Sequence, residues 1–337
     1  MKSNSTSISY LIWFALPVLA FLVIAVPLSM FFGPISGDLT RIGSWTERDF
    51  GWNKAQPSVF VRENGVSVSS PEVLVLGDSF SHPNMWQSYL AESRHLEILS
   101  FQYQDVGCVD NWLNWVGEKH YSTVHTVVIQ IVERSFIPVF RSLNVCTNRT
   151  PEAFEIAKEN ITPVRPDFGL TLDATYLFPA AVNRFRMAWS DGQIVSGDVI
   201  NAPLSTDELF SNRRSDRLLY YIDDENKFSW SEKDMASAVG NLKLIQKGLL
   251  DKGLNFIVVV VPDKSSAYRK YLAVEGGKGK LLSINKRVKA AGVNSVELLD
   301  LFQKEVAGTV DLYLPNDTHL STQGYKLMAD KISHALF

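Results

Sequence analysis

The sequence predicts an α/β protein in which helices flank a parallel sheet, with an N-terminal transmembrane helix and an inserted cap. Three observations carry this prediction. Apolar, β-branched runs alternate with helical patterns, residues 10–32 contain no charged side chain, and residues 140–230 show no sustained period. Strands that alternate with helices favour a parallel sheet with right-handed crossovers.

Composition bounds the function without identifying it. Hydrophobic residues make up 46% and charged residues 20% of the 337 positions, as in an ordinary globular protein of one elaborated domain or two small ones. The formal net charge of −3 provides no basic field, so nucleic acid is not expected as a partner. Two cysteines are too few for a zinc site of the usual spacing.

The uncharged stretch at residues 10–32 is long enough, at about 34 Å of helix, to cross a bilayer. We favour an uncleaved anchor over a signal peptide, because signal peptides have a shorter apolar core and a small-residue cleavage site. Lys2 precedes the stretch and charges of both signs follow it, a weak bias that places the bulk of the chain outside the cytoplasm. The predicted organisation is a cytoplasmic tail at 1–9, an anchor at 10–32, a connector with one short hairpin at 33–70, and a domain at 71–337 with an insertion at 140–230.

The elements of the domain follow from period and from boundary residues. Pro83 is suited to open a helix, Asp110 to cap one, and Ser231 to start one whose apolar positions recur every three or four residues. Predicted strands lie at residues 72–77, 96–103, 126–132, 256–261 and 296–301. Predicted helices lie at residues 83–93, 110–119, 231–253, 280–291 and 322–334.

The stretch from Val73 to Ser81 is the first candidate for a reactive site. A buried strand ends at Gly77-Asp78, and Ser79 then lies between the carboxyl end of a strand and a helix, where open α/β sheets bind ligands. A serine needs a neighbouring base before it acts as a nucleophile. Taken alone, the turn is equally consistent with a structural role.

The partner that we predict lies near the other end of the chain, in Asp317-Thr318-His319. Taken alone, this segment is a weak signal, because a helix N-terminal cap with a surface histidine also explains it. Together with Ser79 it predicts a triad, in which Asp317 orients the Nδ1 side of His319 and Nε2 takes the proton of the serine. No metal or diffusible cofactor is needed for this chemistry.

These motifs resemble the SGNH/GDSL hydrolase superfamily, in which a serine near the beginning of the domain and a late Asp/His pair form the triad. Residues 129–134, residues 261–268 and Asp317-Thr318-His319 are further similar to motifs of the alginate O-acetyltransferase proteins of the AlgX and AlgJ type. The likeness covers residues 71–135 and 254–337 and implies an SGNH-type sheet. It also implies an extracytoplasmic enzyme of exopolysaccharide biosynthesis that receives acetyl groups through a membrane-bound O-acyltransferase partner.

Two departures from these families matter. In the alginate proteins the Asp-x-His segment precedes the serine, whereas here it follows, as in ordinary SGNH enzymes. The Gly-x-Asn-Asp block that supplies an oxyanion-hole asparagine is missing, and Glu133-Arg134 stands in its place. We therefore assign the oxyanion to the backbone N–H groups of Ser79 and Gly107, with Arg134 or Gln130 as a third donor. A structural ion pair is an equally good explanation of Arg134.

Other side chains are weaker candidates. His82 lies three residues after Ser79 but has no carboxylate to orient it, and the tryptophans at 86, 112 and 115 fit a core better than a sugar platform. Cys108 and Cys146 follow neighbouring strands, and in an oxidising compartment they are expected to form a disulfide; free buried thiols are the alternative.

The sequence thus predicts a single-pass protein of the inner (cytoplasmic) membrane whose periplasmic domain acetylates hydroxyls of a secreted or cell-surface polysaccharide. Two alternatives stay open. One is a carbohydrate acetylesterase with the same triad, and the other is a non-catalytic polysaccharide-binding subunit of an exopolysaccharide synthase complex.

Overall fold

The apolar runs of the sequence form the strands of a central sheet. The computed structural model describes residues 4–65, 67–103, 108–118, 122–141, 143, 153–165, 169–273 and 283–336. The strands in this part of the chain are β1 (Val59–Val61), β2 (Val73–Gly77), β3 (Ile98–Gln102), β4 (Thr126–Val132), β5 (Glu159–Ile161), β6 (Ile194–Ser196), β7 (Val199–Pro203), β8 (Arg217–Tyr221), β9 (Asn255–Val261) and β10 (Ser295–Val296).

Helices connect and flank these strands. They are α1 (Asn4–Phe32), α2 (Asp38–Gly43), α3 (Glu47–Phe50), α4 (Met85–Arg94), α5 (Val109–Glu118), α6 (Phe136–Arg141), α7 (Ala174–Trp189), α8 (Glu232–Leu250), α9 (Lys264–Ala267), α10 (Ile284–Ala290), α11 (Leu299–Glu305) and α12 (Thr322–Leu336).

The central sheet has five parallel strands in the order β10-β9-β4-β2-β3. Helices α4, α11 and α12 contribute to the apolar core on one face, and α5, α6, α8 and α10 to the core on the other. The predicted α/β class with a flanked parallel sheet is therefore confirmed. The chain leaves β2 for β3 on one side and returns to β4 on the other, so the crevice past β2 and β4 is the switch point at which such sheets bind ligands.

The region from residue 140 to 230 contains structure of its own. Helix α7 lies there, together with an antiparallel sheet in the order β6-β7-β8. Ile200 and Leu218 of that sheet belong to the same apolar core as β2 and α12. This region is consequently packed onto the main domain and contributes to its core.

Helix α1 is the described helix that is long and apolar enough to cross a membrane, over Ser9–Phe32. A signal sequence near an N-terminus meets the same requirements of length and composition. The connector that follows contains α2, α3 and β1. The hairpin expected there is wrong, because β1 pairs antiparallel with the distant β5.

Most predicted elements lie within two residues of the observed ones, but the helix predicted at 231–253 ends three residues after α8, and the helix predicted at 280–291 begins four residues before α10. The strand predicted at 296–301 is wrong beyond Val296, since residues 299–301 begin α11. Leu298, Phe302 and Val306 are all buried, and their spacing of four is a helical period that a short apolar run conceals. Pro83 does not open a helix either, because Asn84 adopts φ 55° and α4 begins at Met85.

Candidate functional site

The turn after β2 is organised by Asp78, whose side chain is buried. Its carboxylate accepts hydrogen bonds from the backbone N–H of Phe80 at 2.9 Å and from that of Val132, at the end of β4, at 2.6 Å. Burial raises the pKa of Asp78 above its ordinary value, and these hydrogen bonds oppose the rise. Asp78 thereby joins the ends of two adjacent strands and leaves Ser79 exposed at the crevice.

Gly77 and Gln130 complete the turn from below. A Cβ atom on Gly77 would overlap the side chain of Ser81, so the close approach of this turn to the strand requires glycine. Gln130 accepts hydrogen bonds through Oε1 from Ser81 Oγ at 2.6 Å and from the N–H of Asp78 at 3.3 Å. These contacts face the inside of the turn, which makes Gln130 a structural residue in this arrangement.

The structure brings Ser79, His319 and Asp317 together. His319 Nε2 lies 2.9 Å from Ser79 Oγ, and His319 Nδ1 lies 2.6 Å from Asp317 Oδ1. The same carboxylate oxygen accepts the backbone N–H of His319 at 2.9 Å, which fixes the two-residue spacing of the motif. The Phe80 ring packs against the imidazole with centroids 4.8 Å apart. This linear arrangement is the one that a serine, a base and an orienting acid require.

The protonation equilibria of the pair reinforce each other. Burial alone would lower the pKa of His319, but the hydrogen bond and charge of Asp317, with smaller effects of Asp38 and Asp78, raise it above its ordinary value. Burial likewise opposes ionisation of Asp317, yet its contacts with His319 hold the pKa of this carboxyl well below its usual range. Asp317 is therefore ionised, and His319 is a stronger base than a free imidazole.

The loop that carries His319 is held from the N-terminal side by the connector. The N–H of Asp38 donates to Asp317 Oδ2 at 3.1 Å, and Asp38 Oδ1 accepts the N–H of Thr318 at 2.8 Å. Glu47 accepts a hydrogen bond from Asn316 Nδ2 at 2.9 Å. The segment predicted to be a connector is thus part of the wall of the site.

Two residues from other parts of the chain support the same loop. The ammonium group of Lys264, which is buried, donates to the backbone carbonyls of Leu314, Pro315 and Asp317 at 2.7–3.0 Å. The hydroxyl of Tyr221, at the end of β8, donates to Asp38 Oδ2 at 3.1 Å. The connector and Lys264 therefore hold the loop directly, and Tyr221 supports it through Asp38.

A cavity of about 310 Å³ opens beside Ser79. It is also lined by Asp78, His82, Gln102, Tyr103, Val132, Arg134 and Ser135. His82 packs edge-on against Phe154, with ring centroids 4.8 Å apart. The tryptophans at 86, 112 and 115 are buried in the two cores, so none of the three forms a sugar platform here.

Arg134 forms the structural ion pair that the sequence left open, and its role as an oxyanion donor stays a prediction. It lines the cavity beside Ser79, while its Nη1 donates to Asp263 at 2.9 Å and to Asp224 at 3.4 Å. Lys227, buried next to it, pairs with Asp263 at 2.7 Å and with Glu133 at 3.1 Å. The position of Arg134 is consequently fixed by a buried network of charges directly behind the cavity wall.

Of the remaining predicted residues, the structure describes Cys108. Gly107 and Cys146 lie outside the described residues, so the role of Gly107 and the Cys108–Cys146 pair stay predictions. Cys108 is buried at the start of α5 and is disulfide-bonded.

Sequence reasoning missed Asp38, Lys264 and Tyr221 as parts of this site. Asp38 follows the apolar stretch by only a few residues and carries no motif of its own. The signal that was available is Asp263-Lys264, which follow β9 after Pro262, at the same sheet edge as Ser79. Asp38, Asp317 and His319 also place ligand-type atoms within 4.8 Å of one another, a spacing that their direct hydrogen bonds explain.

Comparison with known proteins finds a family match in the C-terminal part of the chain. Residues 215–336 match the family model described as SGNH hydrolase-like domain, acetyltransferase AlgX. The match contains Asp317 and His319 and begins within the predicted insertion, whereas Ser79 lies before it. Neither the curated proteins nor the solved structures include a significant match to the chain. The resemblance to the SGNH-like AlgX type is confirmed.

Proposed function

We propose that the protein is an O-acetyltransferase that acts through an acetyl-serine intermediate on Ser79, with the match of residues 215–336 to the SGNH hydrolase-like AlgX family model as support. The observation that carries the proposal is the contact of 2.9 Å between Ser79 Oγ and His319 Nε2, with Asp317 bound to the opposite ring nitrogen. The family description supplies the acyl chemistry, and the geometry supplies the groups that perform it.

In the first half-reaction Ser79 Oγ attacks the carbonyl carbon of the acetyl donor, and His319 Nε2 takes the hydroxyl proton. A tetrahedral oxyanion forms and collapses as the bond to the leaving group breaks. His319 returns its proton to that leaving group. Asp317 keeps the imidazole in the tautomer that presents an unprotonated Nε2 and stabilises the imidazolium while it exists.

In the second half-reaction an acceptor hydroxyl attacks the acetyl-serine ester. His319 removes the proton of that hydroxyl and passes it to Ser79 Oγ as the new ester leaves, so the enzyme returns to its starting state. We assign the oxyanion to the N–H groups of Ser79 and Gly107 and to the guanidinium of Arg134, which lines the adjacent cavity. One such donor is worth about 3 kcal/mol in the transition state.

The acceptor that we propose is a hydroxyl of a secreted or cell-surface polysaccharide, and the acetyl group arrives through a membrane-bound O-acyltransferase partner. The support is the resemblance of the sequence together with α1, which meets the requirements of a single membrane span. In this proposal α1 anchors the protein in the inner membrane and the catalytic domain lies in the periplasm.

The decisive test is Ser79→Ala in the full-length protein, with an acetyl ester as donor and intact mass as a second readout. We expect turnover to fall by about six orders of magnitude and the acetylated form of the protein to disappear. Ser93→Ala, at an exposed serine of α4, is the matched control and should leave both readouts unchanged. If the polymer in Ser79→Ala cells keeps its acetyl content, the proposal is overturned in favour of a non-catalytic subunit.

A carbohydrate acetylesterase is the second candidate, because the exposed Ser79 gives water the same access as a sugar hydroxyl. The two functions separate when acetyl-ester turnover is measured with and without an oligosaccharide acceptor. Transfer predicts acetylated oligosaccharide at the expense of free acetate, whereas an esterase releases the same amount of acetate under both conditions.

A further inference from the structure

Helix α7 has a strongly apolar exposed face. Phe178, Val182, Phe185 and Trp189 are 52–79% exposed, and at 3.6 residues per turn they fall within an arc of about 60°. Phe185 and Trp189 contact each other, with ring centroids 5.7 Å apart. The opposite face is buried and holds Tyr176, Leu177, Ala180, Asn183 and Met187. A stripe of large apolar side chains that is directed away from the domain is typical of a surface that contacts a partner or a membrane.

The position of this face is fixed relative to α1. Ala25, Ser29 and Phe32, one face of α1, are buried, and Ala25 and Phe32 share an apolar cluster with Tyr176, Leu177 and Ala180 of α7. The N–H of Thr171, just before α7, donates to Ser29 Oγ. Helix α7 is therefore packed on the last two turns of the apolar helix.

The length of α1 sets the level of that contact within a bilayer. Residues 9–24 precede the contact and extend about 24 Å at 1.5 Å per residue, whereas the hydrocarbon core is about 30 Å thick. The outer edge of the hydrocarbon consequently falls within residues 25–32, at the height of α7. A membrane that contains α1 would bring lipid against α7 at this level.

The charges around the contact agree with this depth. The guanidinium groups of Arg48 and Arg184 each lie 4.7 Å from the ring centroid of Phe31, close to the C-terminal end of α1. Arg184 also pairs with Asp49 at 3.1 Å. Arg186 flanks the apolar face and is exposed. Aromatic side chains with arginines beside them are typical of helices that lie at the boundary between acyl chains and headgroups.

We propose that α7 is an interfacial helix whose apolar face, Phe178, Val182, Phe185 and Trp189, inserts into the outer part of the bilayer beside α1. The domain then contacts the membrane through both α1 and α7, and not through α1 alone. This inference goes beyond the acetyl-transfer chemistry and rests on one part of the proposed function, the insertion of α1 in a membrane.

The test uses full-length protein in liposomes with an environment-sensitive fluorophore on Phe185→Cys, and the parent chain as the labelling blank. We expect a blue-shifted emission, quenching by lipids that carry a nitroxide near the headgroup, and protection from aqueous iodide. Leu244→Cys on α8, a matched apolar position that is 56% exposed, should show the reverse. Iodide access at residue 185 equal to that at 244 would overturn the inference.

Two further arms identify the cause of any other result. A fluorophore on Leu19→Cys reports insertion of α1: protection at 19 with exposure at 185 refutes the interfacial helix alone, and exposure at both positions refutes the anchor as well. Protection at 185 that vanishes when the protein is diluted into excess lipid would assign the face to a second copy of the chain and overturn the lipid assignment. Acetyl-ester turnover in the same samples reports the catalytic proposal independently.

Discussion

The two halves of the candidate site are built in different ways. Ser79 is positioned by its neighbours in the sheet, because Asp78 bonds to the end of the adjacent strand and Gln130 supports the turn from within. His319 lies on a loop that is held by Asp38 and Lys264, which come from distant parts of the sequence. Contacts within the sheet therefore position Ser79, whereas residues from distant parts of the sequence position His319.

This difference teaches where the site is vulnerable. A turn at the switch point of a parallel sheet forms whenever the sheet forms, whereas the base loop needs the connector to be in place. Substitutions in the connector should therefore disturb His319 and leave the turn of Ser79 unchanged.

The largest effect after that of Ser79→Ala is expected for Asp317→Asn. The amide cannot hold His319 in the tautomer that accepts a proton at Nε2, so we expect the acetyl-ester kcat to fall by about four orders of magnitude. The variant should stay folded, because an amide oxygen can still accept the backbone N–H of His319. Thermal unfolding checks the fold, and a kcat within tenfold of the wild type would remove Asp317 from the triad.

Gly37→Ala tests the reach of the connector. A Cβ atom at this position would overlap the carbonyl oxygen of Asn316, so the loop that carries His319 must move. A misplacement of about 1 Å costs on the order of a hundredfold in rate, and we expect a loss of that size in acetyl-ester kcat/KM.

The control for Gly37→Ala is Gly240→Ala on α8, where an added Cβ meets nothing within 4 Å. That change should preserve the rate and raise the free energy of unfolding slightly, since alanine favours a helix by about 1 kcal/mol over glycine. Equal rates for the two variants would show that the base loop is independent of the connector.

The sequence predicts the turn that carries Ser79 better than the contacts that hold the loop of His319. The strand before Gly77 and the strand at Thr126–Val132 follow from apolar period alone, because burial in a parallel sheet leaves a continuous β-branched pattern. The late Asp317 and His319 are recognisable since their two-residue spacing is itself a structural requirement. Ser231 also begins α8 as expected, with Asp234 completing a capping box.

Long-range contacts leave no such pattern. Asp38 contacts Thr318 across 280 positions, and β1 finds its partner in β5 rather than in a hairpin. Each of these pairings depends on the position of the surrounding domain and not on the residues beside it. The strand predicted at 296–301 was wrong for a related reason, because only the packing of Leu298, Phe302 and Val306 reveals the helical period.

The smallest effect on activity is expected for Asp38→Asn. This variant distinguishes the influence of the Asp38 charge on His319 from the influence of Asp38 on the position of the loop. Burial and the neighbouring charge of Asp317 raise the pKa of Asp38 to about 6, so this carboxyl is ionised above that pH and there helps to raise the pKa of His319. In the proposed mechanism activity requires neutral His319, so it falls as the pH drops through the pKa of the imidazole. Removal of the charge should therefore move the acidic limb of the kcat/KM profile to lower pH, with a plateau within about tenfold of the wild type because about one hydrogen bond is weakened.

The same variant makes a prediction for stability. A folded-state pKa near 6, above the ordinary value of 3.8, means that the folded protein retains a proton that the unfolded chain has lost between these values. This carboxyl therefore lowers the unfolding free energy as the pH rises from about 4 to about 6, and Asp38→Asn should abolish that contribution. Asp251→Asn, an exposed change at the opposite end of the sheet, should alter neither profile. An unshifted acidic limb in Asp38→Asn would mean that the charge of Asp38 does not act on His319, which would confine the influence of the connector on His319 to geometry.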